Sequence, residues 1–165
     1  MKSIVAVEIR RSRREVAMLL ADPGNMTKWM PTLERYDHIG GEIGAVGSKF
    51  RMVPKRRSRQ IAFLVRVTDM YLPERYALLL RSRKVEVLSN TTFTALARDR
   101  TKLVSEETYI FPGLFRRLIG FFMRNRTRRR HRAQIESFKR FVESVPAAPP
   151  EVTPPLNAPP PITRW

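Results

Sequence analysis

The residues able to do acid–base chemistry in this sequence are few. Glu106 and Glu107 are the one acidic pair inside a strand-like run, and alternation along a strand sends their side chains to opposite faces. One of the two therefore faces the interior, towards a ligand polar group or an arginine such as Arg66. A carboxylate buried there is paired, or becomes a proton carrier if its pKa is raised. His38 is an acid–base candidate if it points into a cavity. Glu107, Tyr109, His38 and Arg66 are thus the first candidates for moving protons, set against a plainer reading of Glu107 as one half of a structural salt bridge. His131, the other histidine, sits in an arginine run and reads as solvated. Neither histidine has a second ligand at metal-site spacing, where zinc would need three or four, so no metal and no other cofactor is expected. There is no cysteine, and no Ser-His-Asp or Cys-His arrangement can be drawn. Gly40, Gly41, Gly44 and Gly47 do not form a phosphate loop, because a strand follows them rather than a helix and no GK[ST] is present. They read as turn and bulge residues.

These side chains need a scaffold, and its start is clear. Ser3 to Ile9 alternates with Val5, Val7 and Ile9 on one side, as in a half-buried strand. Ser12 with Glu15 is a capping box opening a helix whose Val16, Leu19 and Leu20 share a face. Asp22-Pro23-Gly24-Asn25 ends it, and a second short helical turn around Thr27 carries Trp29 up to Pro31. Strands are then expected over Leu33 to Ile39, Gly47 to Val53, Arg59 to Thr68, Arg75 to Arg81, a run through Val85 and Ala95, and Lys102 to Phe111. Lys55-Arg56-Arg57 reads as a basic hairpin. Hairpin-length connections make the seven strands antiparallel and the class α+β. A curled sheet with one apolar face must be covered, and the helix expected over Leu114 to Ser144 is the element available.

The opening strand, the capped helix, the Asp-Pro-x-Asn-x-x-x-Trp-x-Pro run, the long strands and the C-terminal helix resemble the SRPBCC superfamily (START-like, or Bet v 1-like) and its polyketide cyclase/dehydrase and lipid transport branch. The resemblance covers roughly residues 3 to 143. It implies a helix-grip fold, a curved seven-stranded antiparallel sheet around a long C-terminal helix with two short helices after the first strand. It also implies an internal cavity for a hydrophobic ligand. No catalytic residue transfers by motif. Phe50, Phe63, Val65, Val67, Tyr76, Leu78, Phe93 and Tyr109, with Trp29, form a wall suited either to ordinary packing or to such a pocket.

The C-terminal helix carries two apolar clusters facing different directions. Leu114, Phe115, Leu118, Ile119 and Phe122 lie on one side, and Ile135, Phe138, Phe141 and Val142 nearly opposite. Residues 124–132 between them hold no large apolar side chain, so a bend or break is expected near Asn125. Aromatic residues followed by a polybasic run suit docking on an anionic bilayer, where burial of apolar groups adds to about 1 kcal/mol per basic residue. The contact residues expected are Phe115, Ile119, Phe121, Phe122, Arg124, Arg126, Arg128, Arg129, Arg130 and Arg132.

The 165 residues suit one START-like domain over 1–145, followed by a disordered tail over 146–165 that holds eight of the thirteen prolines. A net charge of +17 attracts polyanions, whether nucleic acid or a membrane face. No signal peptide is expected, because Met1-Lys2 leads straight into a strand and then Arg10, Arg11, Arg13 and Arg14. A cytoplasmic protein, peripheral on the inner membrane face, is the expectation. Three functions remain open: a non-catalytic carrier or sensor of a hydrophobic small molecule or lipid, a cyclase/dehydrase-type enzyme using the same cavity, and a basic nucleic-acid-binding module, for which interleaved stacking aromatics are lacking.

Overall fold

The computed structural model describes residues 1–56, 61–111 and 116–146, and for 116–123 the backbone alone. The first strand, β1 (Lys2–Ile9), alternates as its sequence requires, with Ser3, Val5, Val7 and Ile9 turned inward. Helix α1 (Arg13–Ala21) opens on Ser12, whose hydroxyl accepts the Glu15 amide and donates to the Glu15 carboxylate at 2.6 Å. Val16, Ala17 and Leu20 are its buried face.

The Asp-Pro-Gly-Asn run ends α1 through side-chain bonds. Asp22 accepts the Gly24 amide at 2.8 Å and the Asn25 amide nitrogen at 3.1 Å. Pro23–Asn25 makes one 3-10 turn, and the four-residue α2 (Met26–Trp29) follows. Asn25 also donates to the Leu19 carbonyl at 3.3 Å, which locks the turn back onto α1.

The remaining strands are β2 (Leu33–Gly40), β3 (Lys49–Pro54), β4 (Phe63–Tyr71), β5 (Arg75–Arg81), β6 (Glu86–Ala97) and β7 (Arg100–Ile110). They form one seven-stranded sheet in the order β1-β7-β6-β5-β4-β3-β2, with every pairing antiparallel. The two edge strands are consecutive in sequence, so α1 and α2 bridge the edges. β4 starts at Phe63 rather than Arg59, and Ile61 lies ahead of it and is 38% exposed. Gly47 and Ser48 are held instead by Val67, through amide–carbonyl bonds of 2.9 Å. Gly41, Gly44 and Gly47 all have positive φ, as turn residues. The basic hairpin falls partly on Arg57, outside the described residues, as does the tail beyond Pro146.

Helix α3 (Arg116–Ser144) runs without interruption, so of the bend or break expected near Asn125 the break is absent. The reason lies in its inward stripe. Thr127, His131, Ile135, Phe138 and Val142 are all buried and spaced at three or four residues, on one continuous face. Its first two members are polar, and a reading by hydropathy takes them for a gap. His131 is therefore buried, at 1% exposure, where a solvated residue was expected.

Helix α3 is fastened at both ends of its apolar stretch. Ser137 donates to the Trp29 carbonyl at 2.7 Å and Phe138 meets the Trp29 ring edge-on at 5.2 Å. Arg11 donates to the carbonyls of Val142 and Val145, a cation at the helix C-terminus where the dipole favours it.

The Gly40–Gly47 turn makes a direct test. A Cβ on Gly41 would stand 2.8 Å from the Gly47 carbonyl oxygen, whereas one on Gly44, at similar φ, meets nothing within 4 Å. Both alanine variants carry the left-handed cost of roughly 1–2 kcal/mol. Urea unfolding is expected to show Gly41→Ala less stable than Gly44→Ala, by the added clash.

Candidate functional site: an internal cavity with a polar wall

The grip is closed at one end and hollow at the other. Phe138, Val142, Val16, Ile9, Leu103, Phe93, Val65 and Val67 are buried core residues outside the cavity lining. Towards the opposite end of the sheet α3 presents Thr127, Arg130, His131 and Gln134, and a cavity of about 460 Å³ lies beneath them. Register defines that end: Leu33 pairs with Pro54, Leu64 with Arg81 and Glu86 with Ile110. Exposed Ile61, Lys84 and Arg130 belong to the wall, so the cavity reaches the surface there.

Most of the wall is apolar. Leu20, Met26, Trp29 and Met30 come from the α1–α2 region, Met52 and Phe63 from β3 and β4, and Tyr76, Leu78 and Leu80 from β5. The polar part comes from β6, β7 and α3. Ser105, Glu107 and Tyr109 alternate along β7 and so project together.

His131 joins this wall to β1. Its Nδ1 lies 2.9 Å from the Ser3 hydroxyl and its Nε2 3.0 Å from the Ser105 hydroxyl. A neutral imidazole, one nitrogen donating and the other accepting, satisfies both. Burial pushes the His131 pKa down, against a smaller upward pull from Glu107, whose Oε1 stands 3.9 Å from Nε2. The Tyr109 hydroxyl donates to the other oxygen of Glu107. Burial first, and the Glu107 charge and hydrogen bond next, push the Tyr109 phenol above its usual range, with Arg130 opposing. Burial also pushes Tyr76 up to about 12. The cavity thus holds phenols in their protonated form, a neutral imidazole and a carboxylate on one wall. That set can accept or donate hydrogen bonds to a ligand's polar end, or pass a proton.

The sequence candidates divide. Trp29, Phe63, Tyr76, Leu78, Glu107 and Tyr109 line the cavity. Phe50, Val65, Val67 and Phe93 are buried in the core and are not among the residues that line the cavity. Arg66 is a correction: it stands between the inward Val65 and Val67, so strand alternation turns it out to solvent. His38 is likewise exposed, with its ring tilted against Phe50 at 5.4 Å on the β2 edge, and does not reach the cavity. Glu106 points outward and pairs with Lys2 at 2.7 Å. Arg124, Arg126, Arg128, Arg129 and Arg132 are exposed on α3, and Arg130 is both exposed and part of the cavity wall. Phe115 lies outside the described residues, as do the side chains of Ile119, Phe121 and Phe122. Sequence reasoning missed His131, Ser105, Thr127 and Gln134. The signal was the four-residue spacing Thr127–His131–Ile135 in register with the buried Phe138 and Val142, hidden by the arginines around it.

Residues 2–143 match the family model described as polyketide cyclase/dehydrase and lipid transport. The chain belongs to this family. Solved structures agree on the helix-grip fold of the SRPBCC superfamily. A START superfamily protein from Mycobacterium smegmatis aligns with a TM-score of 0.71 at 12% identity, over 86% of this chain and 97% of its own. A conserved protein from Geobacillus kaustophilus gives 0.68 at 17% identity, over 86% and 95%. Norcoclaurine synthase from Thalictrum flavum, in complex with dopamine and hydroxybenzaldehyde, gives 0.65 at 12%, over 86% and 87%. No curated protein matches the sequence. Among the described residues no helix is long and apolar enough to cross a membrane, and no group of three or more His, Cys, Asp or Glu could hold a metal ion.

The buried histidine gives the family member a pH signature. Its folded pKa lies below the ordinary histidine value of 6.5, so the unfolded chain binds the proton more readily. The stability His131 contributes is complete above that value and is lost as pH falls through the lower, folded one. Thermal melts are expected to lose stability below about pH 6.5, and His131→Asn is expected to flatten that part of the profile.

Proposed function

We propose that the cavity binds one compact hydrophobic small molecule or lipid chain, and that the protein serves as its carrier or sensor. The observation that carries this is the unfilled half of the grip. Its 460 Å³ falls within the roughly 300–1,000 Å³ of ligand pockets, and its mainly apolar lining with a few placed polar groups is the usual composition of such sites. Family membership supports the same reading.

A second reading, a cyclase/dehydrase-type enzyme, is favoured by the Glu107–Tyr109 pair and by His131 beside it. In that role Glu107 takes a proton from a substrate carbon or hydroxyl, and the Tyr109 hydroxyl, turning away from the then protonated Glu107, donates to the developing oxyanion, within general acid–base catalysis. Norcoclaurine synthase, similar in fold, was solved with two small aromatic molecules, which supports treating such a fold as a small-molecule site.

Peripheral docking on anionic membrane belongs to the same proposal. The exposed Arg124, Arg126, Arg128, Arg129 and Arg132 support it, following directly on the apolar residues that begin α3. Flotation with vesicles containing phosphatidylserine is expected to recover the protein, and vesicles of phosphatidylcholine alone are not. Exchanging Arg124, Arg126, Arg128 and Arg129 for Gln is expected to abolish the difference. Equal recovery on both vesicles contradicts docking by charge.

Filling the chamber tests ligand binding itself. Leu78→Trp adds bulk to the cavity wall on β5 and is expected to weaken binding of an environment-sensitive apolar dye at least tenfold. Far-UV circular dichroism checks that the fold is kept. Unchanged dye affinity in the folded variant contradicts the cavity as the binding site.

A further inference from the structure

We infer that the ligand is an amphiphilic monocarboxylate, its apolar body in the chamber and its carboxylate held at the rim between Lys84 and Arg130. The inference rests on the cavity being a binding site and adds the chemistry of the ligand's polar end.

Among the described residues, three charged side chains other than the neutral His131 line the cavity: Lys84, Arg130 and Glu107. The carboxylate among them already has a partner, because Glu107 accepts the Tyr109 hydroxyl. The two cations do not. Among the described residues neither Lys84 nor Arg130 forms an ion pair within 4.0 Å. They come from different elements and both belong to the exposed part of the cavity wall. Arg130 belongs to α3, one residue before the clamped His131, so its place on the wall is fixed by that clamp. Lys84 belongs to the β5–β6 turn. That turn is braced by Ser82, whose hydroxyl accepts the Lys84 and Val85 amides at 3.2 and 3.1 Å and donates to the Val85 carbonyl at 2.9 Å.

Solvation decides where the ligand's charge can sit. An ionised carboxylate carried into the apolar depth among Trp29, Met52 and Leu78 would lose its hydration without a partner. Both cations are exposed, so at the rim the carboxylate keeps part of its water and gains two charge-assisted hydrogen-bond donors, with a bidentate geometry open to the guanidinium. The chain's net charge of +17 draws anions to this opening and repels cationic amphiphiles. Acyl-chain acids and polycyclic aromatic acids share the required chemistry.

Isothermal titration of the full chain at low salt and pH 7.5 tests the assignment. The probes are dodecanoate and anthracene-9-carboxylate, which separate the acyl from the aromatic source, with the methyl ester of each and dodecylamine. At least one acid is expected to bind about tenfold more tightly than its ester. The double variant Lys84→Gln, Arg130→Gln is expected to erase that gap. An ester equal to its acid, an amine binding most tightly, or a gap that survives in the variant overturns the carboxylate assignment and leaves the cavity as a binding site. Failure of every probe to bind, acids and esters alike, overturns both.

Discussion

One helix has to cover a sheet that is longer than that helix's apolar stripe. Among the described side chains of α3 the large buried ones are Ile135, Phe138 and Val142; Phe138 and Val142 sit over the core that holds Ile9, Leu103 and Phe93, and Ile135 lines the chamber. Over the chamber the same face offers Thr127 and His131. A threonine and a histidine cannot interdigitate with strands as Phe138 does, because their polar atoms must first find partners. His131 finds them on Ser3 and Ser105, which fixes the helix at a set distance over β1 and β7. The chamber is the space left by that arrangement, and the hydrogen bonds that hold α3 in place also furnish its polar wall.

The fold was legible because its signals are local. The capping box at Ser12, the Asp22–Asn25 stop and the strict alternation of β1, β4 and β7 each follow from side-chain chemistry within a few residues. The site was legible only where alternation on one strand settles direction. Glu106 and Glu107 point to opposite faces as expected, with Glu107 the inward one, and the same rule, applied to Arg66 between Val65 and Val67, excludes it from the cavity. Whether a buried residue lines a void or fills a core depends on which part of α3 lies above it. Phe63 and Phe93 look alike in sequence, yet Phe63 lines the cavity and Phe93 does not. His131 was hidden because its partners, Ser3 and Ser105, are distant in the chain and neither is apolar.

The polar wall also connects binding with any chemistry. Glu107 and Tyr109 share a hydrogen bond within the lining, and His131 is held neutral beside them. A carrier uses such groups to orient a ligand, and an enzyme uses them to move its protons. The geometry is common to both, so the division between them depends on whether a ligand bound there carries a bond that these groups can activate.

Xenon-pressurised crystals of the full chain test the central claim most directly, since xenon enters apolar cavities and is excluded from packed cores. The account predicts xenon between Met52, Leu78 and Ile135, and none among Val16, Leu103 and Phe138. A chamber filled by its own side chains, with no xenon on the Met52–Ile135 side, would contradict it.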